Sequence, residues 1–131
     1  MVLLKRVYEP ASVRDGRRVL VERLWPRGIR KKDLVIDSWL KDLAPSTELR
    51  KWFGHDPARW DEFVRRYRHQ LKQPATARLL AELTHHAAMG TVTLVYSTHD
   101  TEHNTAVVLR DVIERAVSRA HQLWRHHSPT P

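Results

Sequence analysis

Thr91-Val92-Thr93-Leu94-Val95-Tyr96-Ser97 is the stretch on which the fold turns. β-Branched and aromatic residues fill it, as a pleated strand favours. Val92, Leu94 and Tyr96 alternate with Thr91, Thr93, Val95 and Ser97, and both sets are fairly apolar. A strand of that kind suits the centre of a sheet covered on both faces, the usual setting of parallel strands. Upstream, Pro74 opens a helical stripe of Leu79, Leu80, Leu83 and Ala87, and Gly90 ends it. Downstream, a polar turn over residues 98–103 leads into a long helix with the stripe Val108, Leu109, Val112, Ile113, Ala116 and Ala120, reaching towards Leu123.

Further out, residues 3–8 and 18–25 predict two more strands on either side of a polar turn at Asp15-Gly16. Ile36, Trp39, Leu40 and Leu43 fall at i, i+3, i+4 and i+7, which predicts a short helix that Pro45 interrupts. Ser46 is placed to N-cap a second short helix bearing Leu49, Trp52 and Phe53, stopped by Gly54. Asp56-Pro57 reads as N-cap and first helical residue of a third, which carries Trp60, Phe63, Val64, Tyr67 and Leu71. Strands separated by helices imply crossover connections and a short, mostly parallel sheet flanked by helices, a small single-domain α/β fold of three layers. The domain is expected over residues 1–125, with 126–131 as a flexible tail.

The 131 residues, 41% hydrophobic and including five Trp, suffice for one core. No apolar run approaches the length of a transmembrane helix, and the first residues are too short an apolar run for a signal peptide, so a cytoplasmic location and no membrane contact are expected. The chain has no cysteine, which excludes disulfides, thiol nucleophiles and thiolate metal sites. Net charge is +8 and the pI about 10.4. Such a balance attracts polyanions, although the cations are dispersed over several segments and form no dedicated arm.

Two segments carry the candidate chemistry. The first is Val21-Glu22-Arg23-Leu24-Trp25-Pro26-Arg27-Gly28, where an apolar run ends with two arginines. Ligands of α/β sheets sit at the carboxyl ends of strands, and guanidinium groups there suit a phosphate, sulfate or carboxylate. The plain structural alternative pairs Arg23 with Asp37 or Asp42. The second is Ser97-Thr98-His99-Asp100-Thr101-Glu102-His103-Asn104, a strand-to-helix junction of the kind that presents backbone N–H groups. Asp100 or Thr101 is placed to N-cap the helix, with His103 and Asn104 in its first turn and His103 available as acid or base. Trp52-Phe53-Gly54-His55-Asp56 is a third: a helix end packing its aromatics, with His55 either bonded in the turn or on a pocket rim.

Other signatures are absent or accidental. His99-Asp100-Thr101-Glu102-His103 matches H-x-x-E-H, but two metal-binding histidines would have to share one helix, and this segment straddles a turn. No metal or cofactor is expected. The four glycines are too widely spaced for a phosphate loop or dinucleotide fingerprint, and there is no G-x-S-x-G elbow.

Arg6-Val7-Tyr8, the Val21–Gly28 segment with its W-P-R-G string, Trp39-Leu40-Lys41-Asp42-Leu43-Ala44-Pro45-Ser46, Leu49-Arg50-Lys51-Trp52-Phe53-Gly54-His55-Asp56 and Glu102-His103-Asn104 together resemble the YeaO-like branch of domain-of-unknown-function family 488. The likeness covers about residues 4–115. It implies a small Rossmann-like α/β protein, bacterial or archaeal and cytoplasmic, and brings no established activity. The family's recurring polar positions map onto Arg23, Arg27, Lys41, Ser46, His55, Asp100, His103 and Asn104. The familiar pattern has Asp before the arginine of the second strand, where this chain has Glu22. Relatives outside the branch carry a cysteine where this chain has Ser97, so no thiol chemistry transfers.

The leading expectation is a polar, anion-binding pocket at the carboxyl ends of the strands, with a small phosphate-bearing or nucleotide-like ligand. Arg23, Arg27, Lys41, Ser46, His55 and Asn104 would bind it, and Asp100 or His103 would move a proton if a reaction occurs. Whether one does is left open by these residues. The alternative is a basic nucleic-acid-associated module without catalysis, with Trp25 as a stacking surface and Arg30, Lys31 and Lys32 as contacts. A third reading is a partner protein that forms a homodimer through Trp124 and the last helix.

Overall fold

The computed structural model describes residues 1–127, with side chains to residue 123. Four parallel strands form one sheet: β1 (Val2–Arg6), β2 (Arg17–Leu20), β3 (Ser38–Trp39) and β4 (Val92–Tyr96), in the order β1-β4-β2-β3. Four α-helices accompany them: α1 (Thr47–Phe53), α2 (Trp60–Leu71), α3 (Pro74–Met89) and α4 (Thr105–His127). This is a small Rossmann-like α/β fold. β4 lies between β1 and β2 and all five of its residues are buried, as its two apolar faces require.

The sheet register divides the core in two. Val92, Leu94 and Tyr96 of β4, with Val2, Val19 and Val21, face a large cluster to which all four helices contribute, including Phe53, Phe63, Tyr67, Leu83 and Leu109. Val95 and Leu20 face the other way, into a smaller cluster with Val7 and Leu34, against which Trp25, Ile29, Ile36 and Trp39 pack. The second covering layer is therefore the loop-rich segment between β2 and β3.

Closer to the amino end, that same face is polar inside. Asp15 is 1% exposed and accepts from Lys5 Nζ at 3.2 Å and Arg18 Nη1 at 2.5 Å. Thr93 Oγ1 donates to the Asp15 carbonyl at 2.7 Å. The Lys5 ammonium, the Ser12 N–H and Arg18 outweigh burial and hold the Asp15 carboxyl down to about 2. Gly16 follows at φ 60° and ψ −131°, and a Cβ there would lie 2.3 Å from the Thr91 carbonyl oxygen. Only glycine permits this approach.

Two of the expected elements differ. The second strand ends at Leu20 rather than running to residue 25. Its last ladder bond runs from Val21 N to Val95 O at 3.2 Å, and the chain then turns away. Residues 36–43 are not a helix: Asp37 N bonds Arg18 O and Leu40 N bonds Leu20 O, making Ser38–Trp39 an edge strand, followed by a 3₁₀ turn over Lys41–Leu43. The helical spacing misleads because its apolar residues serve different cores: Ile36 and Trp39 join the smaller cluster, Leu40 and Leu43 the larger. The expected caps at Ser46, Gly54, Asp56-Pro57, Pro74 and Gly90 all delimit helices. α4 runs through His126 and His127. Residues 128–131, the rest of the expected tail, and the Trp124 side chain lie outside what is described.

Candidate functional site at the carboxyl edge of the sheet

Where β2 and β4 stop, side chains take over from the ladder. Ser97 N, the next donor along β4, gives its hydrogen to Glu22 Oε1 at 2.6 Å, and Ser97 Oγ donates to Glu22 Oε2 at 2.6 Å. The Glu22 carboxylate thus stands in for a strand carbonyl and ties the two strand ends together. The Glu22 backbone carbonyl accepts from Trp39 Nε1 at 2.6 Å, which adds the end of β3. On the other side, Arg6 Nε and Nη2 donate to the carbonyls of Thr98 and Ser97 at 3.1 and 2.9 Å. Sequence reading did not single out Arg6; its place at the end of a strand bordering the central one is the signal that was available.

Arg23 does not project into open space. Its Nε and Nη2 donate to the carbonyls of Pro45 and Ala44 at 2.9 and 3.1 Å, and Nη1 lies 3.9 Å from the exposed Asp42 carboxylate. The same short segment is gripped from α2. Tyr67 Oη donates to Leu43 O at 2.6 Å, while Gln70 donates to Ala44 O and accepts from Ser46 N. Burial raises the fully enclosed Tyr67 hydroxyl well above its ordinary value, so it stays a donor. Ser46 caps α1, its Oγ accepting from Leu49 N at 3.1 Å.

The junction after β4 is likewise bonded within itself, with the caps shifted from expectation. Asp100 Oδ1 accepts from Glu102 N and His103 N, and its Oδ2 lies 2.9 Å from His103 Nδ1. The backbone donors of Glu102 and His103, more than the His103 ring, hold the Asp100 carboxyl below its ordinary value. Asn104 is the N-cap of α4, its Oδ1 accepting from Val107 N at 3.0 Å and its Nδ2 donating to Asp100 O. Asp100 therefore caps a turn that precedes the helix, and His103 stands outside α4. The His103 ring meets Trp60 edge-on at 5.1 Å.

The remaining predicted positions are exposed. Arg27 makes no hydrogen bond or ion pair with the described residues. His55 sits at φ 59° just after the helix stop, 6.3 Å from the Phe53 ring. Trp25 and Trp39 pack edge to face at 5.4 Å, and their indole N–H groups are bonded to Ile29 O and Glu22 O. Lys31 Nζ lies 5.9 Å from each of these rings, and Lys41 Nζ lies 5.5 Å from that of Trp39. Two lysines without a hydrogen bond or ion pair to the described residues thus share the loop-rich side of this edge with a half-buried tryptophan pair. Two grooves of the molecule are lined by other residues, one around Met1, Ala87 and His121, the other between α2 and α4. Among the described residues no cluster of His, Asp and Glu could hold a metal ion, and no helix is long and apolar enough to cross a membrane.

No solved structure matches the chain. The uncharacterised protein YeaO of Escherichia coli K12 is 45% identical over 108 residues, 82% of this chain and 91% of the relative. The uncharacterised proteins Rv3073c of Mycobacterium tuberculosis H37Rv and Mb3100c of Mycobacterium bovis are 45% identical over 112 residues, 86% of this chain and 92% of each relative. Residues 1–130 match the family described as the inactive DUF488-N3 subclade. The chain belongs to the DUF488 family, in the branch that contains YeaO.

Proposed function

We propose that this protein is a non-catalytic, cytoplasmic binding module for phosphate-bearing ligands, and that its ligand is a single nucleic-acid strand. The observation that carries this reading is the placement of Lys31 and Lys41 beside the Trp25–Trp39 pair. Cations that track phosphates beside aromatic faces that stack bases are the parts a single-strand surface needs. The net charge of +8 adds long-range attraction. The inactive description of the subclade supports the absence of turnover. So does the commitment of Glu22, Arg23 and Ser97 to internal bonds, because groups so held are not aimed at a substrate.

A labelled oligonucleotide of about a dozen nucleotides, titrated by fluorescence anisotropy, tests this. Binding that weakens steeply between about 50 mM and 200 mM salt is the expected result. No binding at the lower salt overturns it. One observation favours a second reading, acid–base chemistry on a small anion: the Asp100–His103 pair at 2.9 Å could orient the imidazole as an orienting carboxylate does. Turnover of a phosphorylated substrate that His103→Ala abolishes would select that reading instead.

A further inference from the structure

The groove between α2 and α4 lies apart from the basic edge and uses none of its cations. Trp60, Val64 and Val108 form its apolar walls, while Asp61, Arg68 and Asp111 add charge. Its volume of about 220 Å³ is room for roughly seven waters. Arg68 is the anomaly. Its Nε is buried without a hydrogen-bond partner, and the residue makes no ion pair with any described residue. Its neighbours Arg65 and Arg66 are both paired with Glu62, and the nearest cation to Asp111 is Arg110 at 3.5 Å. The Nε itself is closed to a ligand, but Arg68 lines the groove half-buried and its guanidinium has no acceptor among the described residues, so a ligand that brings one meets an unpaired cation. The planar fork of Arg is matched by a carboxylate. Asp61 and Asp111 would repel a simple anion and attract an ammonium carried beside that carboxylate. The valines and the Trp60 ring would then cover an apolar body.

We infer that the α2–α4 groove binds a free amino acid with an apolar side chain, its carboxylate on Arg68 and its ammonium towards Asp61 and Asp111. The groove adjoins the His103 turn through Trp60, whose ring touches His103.

The probes are L-leucine, N-acetyl-L-leucine and L-leucinamide, added to the full chain and followed through the Trp60 indole signal in ¹H–¹⁵N spectra, assigned with Trp60→Phe. L-Leucine is expected to shift that signal saturably. The acetylated compound lacks the ammonium and the amide lacks the carboxylate, so each should bind at least about tenfold more weakly, the loss of one good polar contact. Arg68→Met should cost at least the same factor, with Arg68→Lys recovering part. If Arg68→Met fails to fold, Asp111→Asn and the two derivatives decide alone. No saturable shift with L-leucine, equal binding of the derivatives, or a folded Arg68→Met that binds normally overturns the inference.

Discussion

Arg23 illustrates how a residue can be conspicuous in sequence and occupied in structure. Its guanidinium bridges the end of β2 to the carbonyls of Ala44 and Pro45, so its first role is to hold the turn before α1. Arg23→Ala should lower stability by about 2 kcal/mol, the scale of charge-assisted hydrogen bonds lost from a partly buried site, read as a reduced urea midpoint. Asp15 sets a pH dependence. Its folded-state value of about 2 lies below the ordinary 3.8, so folding favours the carboxylate. Its stabilising contribution is complete above the ordinary value and is lost as pH falls towards 2. Urea unfolding of Asp15→Asn should therefore show a weaker loss of stability between about pH 4 and pH 2 than the parent chain. A parallel pair of acid limbs would refute that assignment. The pairing of Glu22 with Ser97 could not be read from sequence, since 75 residues separate them.

At the scale of elements, the turns were the most legible part. Ser, Asp, Pro and Gly act on their own backbone neighbours, and such local chemistry survives in any tertiary setting. The edge strand β3 was illegible for the opposite reason: two residues pair only because β2 lies beside them. Two substitutions probe the joints between elements. Gly16→Ala would drive a Cβ against the Thr91 carbonyl at a backbone angle closed to other residues. It should cost at least about 2 kcal/mol by thermal or urea unfolding. Tyr67→Phe removes the buried bond from α2 to Leu43 O and leaves that carbonyl without its donor. A loss of about 1–3 kcal/mol is expected, with the far-UV spectrum unchanged.

For the molecule as a whole, the sheet order puts the ends of β2, β3 and β4 at one edge, and side-chain bonds then fix the loops there. What this leaves available is a basic surface on the loop-rich side. If single-stranded nucleic acid binds there, Lys31→Ala and Lys41→Ala should each reduce the slope of log affinity against log salt by about 0.7, the value of one phosphate contact. His103→Ala should leave that slope unchanged. Equal slopes for all three variants would move the contact surface elsewhere.

By itself the sequence determined the parallel α/β class, the central place of residues 91–97, most helix boundaries and the family. Those properties depend on local backbone preferences and on the period of apolar residues, which neighbours in the chain reveal. Only the tertiary structure decided which polar residues at the sheet edge face inward. Arg6, Glu22 and Arg23 look alike in a list of charged residues. Each is bound to groups that the fold brings within about 3 Å, and hydrogen bonding acts over that distance whatever the separation along the chain.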